Sequence, residues 1–122
     1  MGKKFSIVIA LALLMICTGR ASSWEDGGAI FGTDIEYSGM KVSKSGVDVR
    51  LTNVSASDVK VSLRLTFLTR DGNTVGYSLF GLREIPAGTY VDIRGNYLNG
   101  AWKQCKDSER MTWQRMTYEL VY

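Results

Sequence analysis

The residues of this sequence that come nearest to catalytic chemistry are three closely spaced carboxylate pairs: Glu25 with Asp26, Asp34 with Glu36, and Asp107 with Glu109. Glycoside hydrolysis uses two such groups, one on each side of the sugar bond to be broken, and it needs a cleft that holds the sugar. A domain of about 100 residues has little room for such a cleft. We therefore expect these acids to be solvated side chains on loops and strand faces.

The chain contains no His. This excludes Ser–His and Cys–His nucleophiles and removes the commonest ligand of transition metals. A calcium site would need several oxygen ligands from one loop, and Asp71-Gly72-Asn73 supplies only two ligating side chains. We predict a protein that is not an enzyme and that uses no metal or other cofactor.

Aromatic residues are concentrated in the last third of the chain: Tyr90, Tyr97, Trp102, Trp113, Tyr118 and Tyr122. Such rings can stack on sugars or anchor a protein partner, although large rings also fill the space between two packed sheets. Trp102 lies in a polar stretch beside Gly100 and Lys103, so it is the first candidate for a contact residue. Tyr97 and Trp113 are further candidates.

Residues 1–23 have the pattern of a cleavable signal peptide. Lys3 and Lys4 precede an apolar run, Phe5–Cys17, and small residues follow at Ala21–Ser23. The run of 13 residues is shorter than the roughly 20 that a bilayer-spanning helix needs, so we expect no membrane insertion after the leader is cleaved. Cleavage is expected after Ser23, with the bond after Ala21 as the alternative. The protein is predicted to be exported, either to the periplasm or to the medium.

The two cysteines raise two further hypotheses. Cys17 could carry a lipid as in bacterial lipoproteins, but bulky Ile16 stands before it where such proteins have a small residue. After leader cleavage Cys105 is the remaining cysteine, so the domain cannot form an internal disulfide. We expect Cys105 to be buried or half-buried, with an intermolecular disulfide as the alternative.

The positive net charge belongs to the leader. The whole chain has a formal charge of +3, and loss of Lys3, Lys4 and Arg20 leaves 12 basic and 12 acidic residues. The remaining domain is neutral and has no basic stripe of the kind that neutralises phosphates. This argues against a nucleic-acid partner. The remaining candidate partners are a protein of the cell envelope and a glycan.

Alternation of apolar and polar residues predicts β-structure. Val47–Leu51 and Val59–Phe67 alternate with period two, Arg70-Asp71-Gly72-Asn73 is a hairpin signal, and Pro86-Ala87-Gly88 marks a further turn. Edge strands are expected at Ala29–Tyr37 and Met40–Val42, and further strands at Thr74–Phe80, Tyr90–Tyr97 and Thr112–Tyr122. About seven short strands in residues 24–122 predict one all-β domain, an immunoglobulin-like antiparallel β-sandwich. A small closed β-barrel is the alternative.

The stretch from Val47 to Gly88 resembles the FxLYD-type domains of bacterial envelope proteins. It has an Asn-x-Ser turn at Asn53–Ser55, which also matches a glycosylation sequon, then a long strand that ends at Asp71-Gly72, and a Pro-x-Gly bend. Thr69-Arg70 stands where the family has an aromatic residue. The resemblance implies an immunoglobulin-like accessory or interaction module and assigns no functional residues.

The predicted function is that of an exported, non-enzymatic binding or accessory module of the bacterial envelope that contacts another protein. A small carbohydrate-binding domain that uses exposed aromatic side chains is the alternative.

Overall fold

A computed structural model describes residues 24–121, in which seven strands and one short helix follow one another along the chain. These elements are β1 (Gly28–Ala29), β2 (Ile35–Ser43), β3 (Gly46–Asn53), β4 (Asp58–Leu68), β5 (Thr74–Ile85), β6 (Tyr90–Asn96), α1 (Trp102–Lys106) and β7 (Arg110–Val121). The predicted leader and the lipidation hypothesis for Cys17 lie outside the described residues.

The strands form two antiparallel sheets, ordered β1-β2-β3-β6 and β5-β4-β7. In an immunoglobulin sandwich strand B lies beside E, and C lies beside F. The pairs β3–β6 and β4–β7 have these neighbour relations, with the chain crossing between sheets after β3, after β5 and after β6. Over residues 24–121 no ladder closes the sheets into one barrel, so the sandwich prediction is confirmed and the closed barrel is wrong.

The predicted alternation of apolar and polar residues identifies the side chains that form the hydrophobic core. On β4 the apolar positions are at most 1 % exposed: Val59, Val61, Leu63, Leu65 and Phe67. On β3 Val47, Val49 and Leu51 face the same interior and are at most 3 % exposed. Burial of each such side chain stabilises the fold by about 1.5–3 kcal/mol, and these two strands supply eight of the 17 buried apolar residues of the described chain.

The predicted hairpin between β4 and β5 is confirmed. The amide of Thr69 donates to the carbonyl of Asn73 at 2.9 Å, and the amide of Gly72 donates to the carbonyl of Thr69 at 2.9 Å. Gly72 has φ of +89°, a conformation that glycine adopts without steric cost. Asp71-Gly72-Asn73 thus acts as a turn.

The N-terminal strands differ from the prediction. The expected strand Ala29–Tyr37 is interrupted because the hydroxyl of Thr33 donates to the carbonyl of Ile30 at 2.9 Å and accepts from the amide of Ile35 at 3.0 Å. Gly32, with φ of +83°, completes this turn. Strand β2 then runs between β1 and β3, so it is an inner strand and not an edge strand.

Trp24, the residue that follows the predicted cleavage site, packs against the core. Its ring centroid lies 5.8 Å from that of Phe67. The carbonyl of neighbouring Glu25 accepts a hydrogen bond from the hydroxyl of Tyr37 at 3.2 Å. Cleavage after Ser23 would leave both contacts in the exported protein.

Candidate functional site

Two of the three candidate contact residues lie on one pocket. Tyr97 and Trp102 line a cavity of about 230 Å³ at the end of the sandwich where β2 turns into β3. The turn Ser43–Gly46 also lines it, and Gly95, Leu98 and Gly100 complete the lining. We call this cavity the Tyr97–Trp102 pocket.

Tyr97 is presented to solvent from a fixed backbone. The carbonyl of Tyr97 accepts a hydrogen bond from the hydroxyl of Ser78 at 2.7 Å, and Asn99 and Tyr77 exchange two backbone hydrogen bonds of 2.8 and 3.0 Å. The side chain of Tyr97 is nevertheless 77 % exposed. Because the main chain is already fixed here, a ligand that covers the ring does not have to order the backbone.

Trp102 is less available than the sequence predicts. It is the first residue of α1, it is half-buried, and its ring packs against the hydrophobic core. The ammonium group of Lys103 lies 5.7 Å from the centroid of that ring. Because α1 is seated by the buried Cys105, Trp102 is one wall of the pocket rather than a freely exposed contact.

Two glycines of the pocket lining bring main chain close to main chain. Gly46 has φ of +116° and a Cβ there would overlap the carbonyl oxygen of Asn96. Gly95 has φ of +64° and its Cβ would lie 3.2 Å from the carbonyl oxygen of Ser45. The β2–β3 turn and the end of β6 thus approach backbone to backbone beside the pocket, and a larger residue at either position would separate them. Neither glycine was a candidate from the sequence.

Trp113, the third candidate contact residue, lies outside the pocket. Its ring packs between Tyr37 and Phe80, with centroid distances of 5.3 Å to each. Tyr37 belongs to the four-stranded sheet, whereas Trp113 and Phe80 belong to the three-stranded sheet. Trp113 therefore fills the space between the sheets, as large rings in sandwich cores do.

The carboxylate pairs are at the surface, as expected. Asp107 and Glu109 line an open concavity of about 510 Å³, but Glu109 accepts a hydrogen bond from the amide of Arg70 at 2.7 Å and lies 3.3 Å from its guanidinium. Asp34 accepts from the hydroxyl of Tyr118 at 3.3 Å. The other acids of these pairs are exposed: Glu25, Asp26 and Glu36. Glu109 and Asp34 thus brace the β4–β5 hairpin and the Ile30–Asp34 turn.

A second concavity, of about 310 Å³, lies on the outer face of the four-stranded sheet. The guanidinium of Arg50 donates to both oxygens of Asp92 at 2.8 and 3.2 Å and stacks 3.8 Å from the ring centroid of Tyr90. The hydrogen bond from Arg50 lowers the pKa of Asp92 below its ordinary value. Since the two charges compensate each other, this surface is a weaker candidate for an ionic ligand.

Within residues 24–121, no three or more His, Cys, Asp or Glu side chains form a group that could hold a metal ion. Within the same residues, no helix has the length and apolar character needed to cross a membrane.

No family model, curated protein or solved structure matches the chain. The resemblance of Val47–Gly88 to FxLYD-type domains stays a prediction.

Cys105 is fully buried, and burial raises the pKa of its thiol. A disulfide to a second chain would require this sulfur to reach solvent, so the fold disfavours the intermolecular alternative. We expect the native, processed protein to resist modification by a thiol reagent at pH 8, and the thiol to react at once in denaturant. A thiol titration in buffer and in urea measures this.

The raised pKa of Cys105 also fixes the sign of a pH effect. As the pH rises, the thiol of the unfolded chain loses its proton before the thiol of the folded chain does. The free energy of unfolding is therefore unaffected by Cys105 below the pKa of the unfolded chain, and it falls as the pH rises from that pKa to the higher pKa of the folded chain. Rapid modification of Cys105 in the native protein would contradict its placement under α1.

Proposed function

We propose that this protein is an exported, non-enzymatic binding module of the bacterial envelope that holds a protein partner at the Tyr97–Trp102 pocket. One observation carries the proposal: a 77 % exposed tyrosine on a fixed backbone and a half-buried tryptophan line the same small cavity. Tyr and Trp in such settings are the residue types that dominate the binding energy of protein interfaces.

The size of the pocket favours a protein over a free small molecule. Its volume of about 230 Å³ lies below the roughly 300–1,000 Å³ of typical ligand sites. A cavity of this size accepts one anchoring side chain, and the surrounding polar turn of Ser43, Lys44 and Ser45 supplies a rim of the kind that surrounds such anchors. Gly46 and Gly95 leave the lining without side chains at these two positions, which makes room for the anchor.

A glycan is the second candidate ligand. A lining that combines two aromatic side chains with polar Ser43, Lys44 and Ser45 also suits a single sugar ring, which stacks on an aromatic face while its hydroxyls form hydrogen bonds. The pocket would then hold one terminal residue of a longer chain of sugars.

Export is supported by the composition of residues 1–23 and by the place of Trp24. The predicted cleavage after Ser23 keeps the contact between Trp24 and Phe67, so removal of the leader costs the domain none of its described packing. An intact mass that corresponds to a chain starting at Trp24 would support this part of the proposal.

Replacement of Tyr97 by Ala tests the function. We expect Tyr97→Ala to weaken partner binding about tenfold or more and to leave the thermal unfolding temperature unchanged, because the ring is mostly exposed. The matched control is Tyr90→Ala, which removes a 54 % exposed ring outside the pocket. Binding is measured by capture from envelope extract of the source cells, with each variant as bait.

The same variants separate the two ligand classes. Tryptophan fluorescence titrated with cell-wall and storage glycans should not change if the ligand is a protein. A glycan that changes the fluorescence of the wild type and not of Tyr97→Ala would identify the second candidate as correct. Equal binding by Tyr97→Ala and Tyr90→Ala would rule out the pocket for either class.

A further inference from the structure

Strand β7 has one unpaired edge. It pairs along its length with β4, from Arg110 opposite Leu68 to Val121 opposite Asp58. Within residues 24–121 it has no second strand neighbour, and backbone hydrogen bonds from Met111–Val121 other than this ladder are absent there. One side of a 12-residue strand thus offers unpaired amides and carbonyls.

The opposite edge of the same sheet is covered over residues 77–79. Strand β5 exchanges two backbone hydrogen bonds between Tyr77 and Asn99, and the side-chain amide of Asn96 donates to the carbonyl of Leu79 at 2.9 Å. Proteins block exposed sheet edges in this way because bare edges pair with other chains. The contrast within one sheet marks the β7 edge as a place for an added strand.

Apolar side chains lie on β7 or beside it. Met116 and Leu120 on β7 are 56 % and 42 % exposed, and Phe31 is 94 % exposed. The turn that carries Phe31 is fastened to β7, since the carbonyl of Gly32 accepts from the guanidinium of Arg115 at 3.0 Å. The β7 edge therefore combines backbone groups, which pair with any strand, with apolar side chains, which select one.

A β-bulge in β7 restricts which partner strand fits. The register shifts between Ser62 and Leu63 of β4, which leaves Met116 as the extra residue of β7. Before the bulge the even-numbered residues face outward, and after it the odd-numbered ones do. Opposed residues of an antiparallel pair point to the same face. When two copies of β7 pair over their full length, the part before one bulge lies against the part after the other, and the faces match only where the paired residue numbers have an odd sum.

Charge then selects one of these registers. The register that places Arg110 opposite Glu119 of the partner subunit has an odd sum, and twofold symmetry repeats this pair at the other end. It also sets Thr112 opposite Thr117 of the partner subunit, both facing outward, and Met111 opposite Tyr118 of the partner subunit, both facing inward. The two bulges meet at the centre, so ladder hydrogen bonds are expected at both ends.

We propose that the β7 edge is the interface of a symmetric homodimer, in which two copies of β7 pair antiparallel and join two three-stranded sheets into one of six strands. This surface is separate from the Tyr97–Trp102 pocket, so the inference does not rest on the proposed function. The occupant is a second copy because the bulge and the charges of β7 complement β7 itself.

Sedimentation velocity of the processed protein from micromolar to millimolar concentration tests the dimer. Arg110→Glu places two Glu side chains opposite each other at both ends, and we expect it to raise the dimer dissociation constant about tenfold or more. The double variant Arg110→Glu/Glu119→Arg restores opposite charges and should restore dimerisation. Arg94→Glu, on the four-stranded sheet, is the matched control and should not change it.

The proposal is overturned by a wild-type protein that stays monomeric throughout that range. It is equally overturned by a dimer that Arg110→Glu leaves unchanged, or by one that the double variant does not restore. Thermal unfolding of each variant establishes that any loss of dimer occurs in a folded chain.

Discussion

Replacement of Asn53 by Ala is expected to lower the free energy of unfolding by about 3 kcal/mol. The side chain of Asn53 is fully buried at the end of β3, where the chain leaves one sheet for the other. Its amide nitrogen donates to the carbonyls of Ser57 at 2.8 Å and of Ile85 at 2.9 Å. Its oxygen accepts from the amide of Ser55 at 2.9 Å and from its hydroxyl at 2.7 Å.

Truncation of Asn53 leaves the buried carbonyl of Ile85 and the part-buried groups of Ser55 and Ser57 without this partner, and a buried group left unpaired costs about 1–3 kcal/mol. Asn53→Asp keeps the shape but turns a negative oxygen toward two carbonyls, so we expect it to be at least as damaging. Asn73→Ala, in the exposed hairpin, is the matched control. Urea denaturation of the three variants measures the effect, and a loss at Asn53 no larger than at Asn73 would contradict this role.

Replacement of Gly76 by Ala is expected to lower the free energy of unfolding by about 2–3 kcal/mol. A Cβ at Gly76 would lie 2.5 Å from the sulfur of Cys105 and 2.7 Å from the carbonyl oxygen of Asn99. Because both atoms belong to the segment that carries Tyr97 and α1, the methyl group would lift that segment from β5. We therefore also expect faster modification of Cys105 and weaker binding at the Tyr97–Trp102 pocket.

Gly81→Ala is the control for Gly76→Ala because it lies on the same strand, β5. No heavy atom lies within 4 Å of a Cβ built at Gly81, so we expect the free energy of unfolding to change by no more than about 0.5 kcal/mol. Equal effects of the two substitutions on the urea midpoint would show that the contact between β5 and the α1 segment is looser than described.

The inner strands could be predicted from the sequence because apolar residues occupy the buried face and polar residues the exposed face, in strict alternation. Val59–Phe67 alternates without a break, and burial follows that pattern residue by residue. The turn at Thr33 was missed because it depends on one hydroxyl that bonds the chain locally. The bulge at Met116 was missed because a register shift depends on the neighbouring strand.

The candidate site was predictable in part for a similar reason. Composition identifies Tyr97, Trp102 and Trp113 alike, but contacts distant in sequence decide which ring is buried. Asn53 is the clearest case: the Asn-x-Ser pattern predicts a turn, and the structure confirms the bond to Ser55. Its bond to Ile85, 32 residues away, has no local signal, and it makes the amide inaccessible to glycosylation in the folded chain.

Site-specific photo-crosslinking is the most direct test of the claim that the exported domain binds a partner at the Tyr97–Trp102 pocket. A photoreactive phenylalanine derivative replaces Tyr97 in the full chain, produced with its own leader in the source cells, and replaces Tyr90 in the control. We predict a light-dependent adduct in the envelope fraction at position 97 and none at position 90, with a mass that identifies a protein. No adduct at position 97, or equal adducts at both positions, would contradict the account.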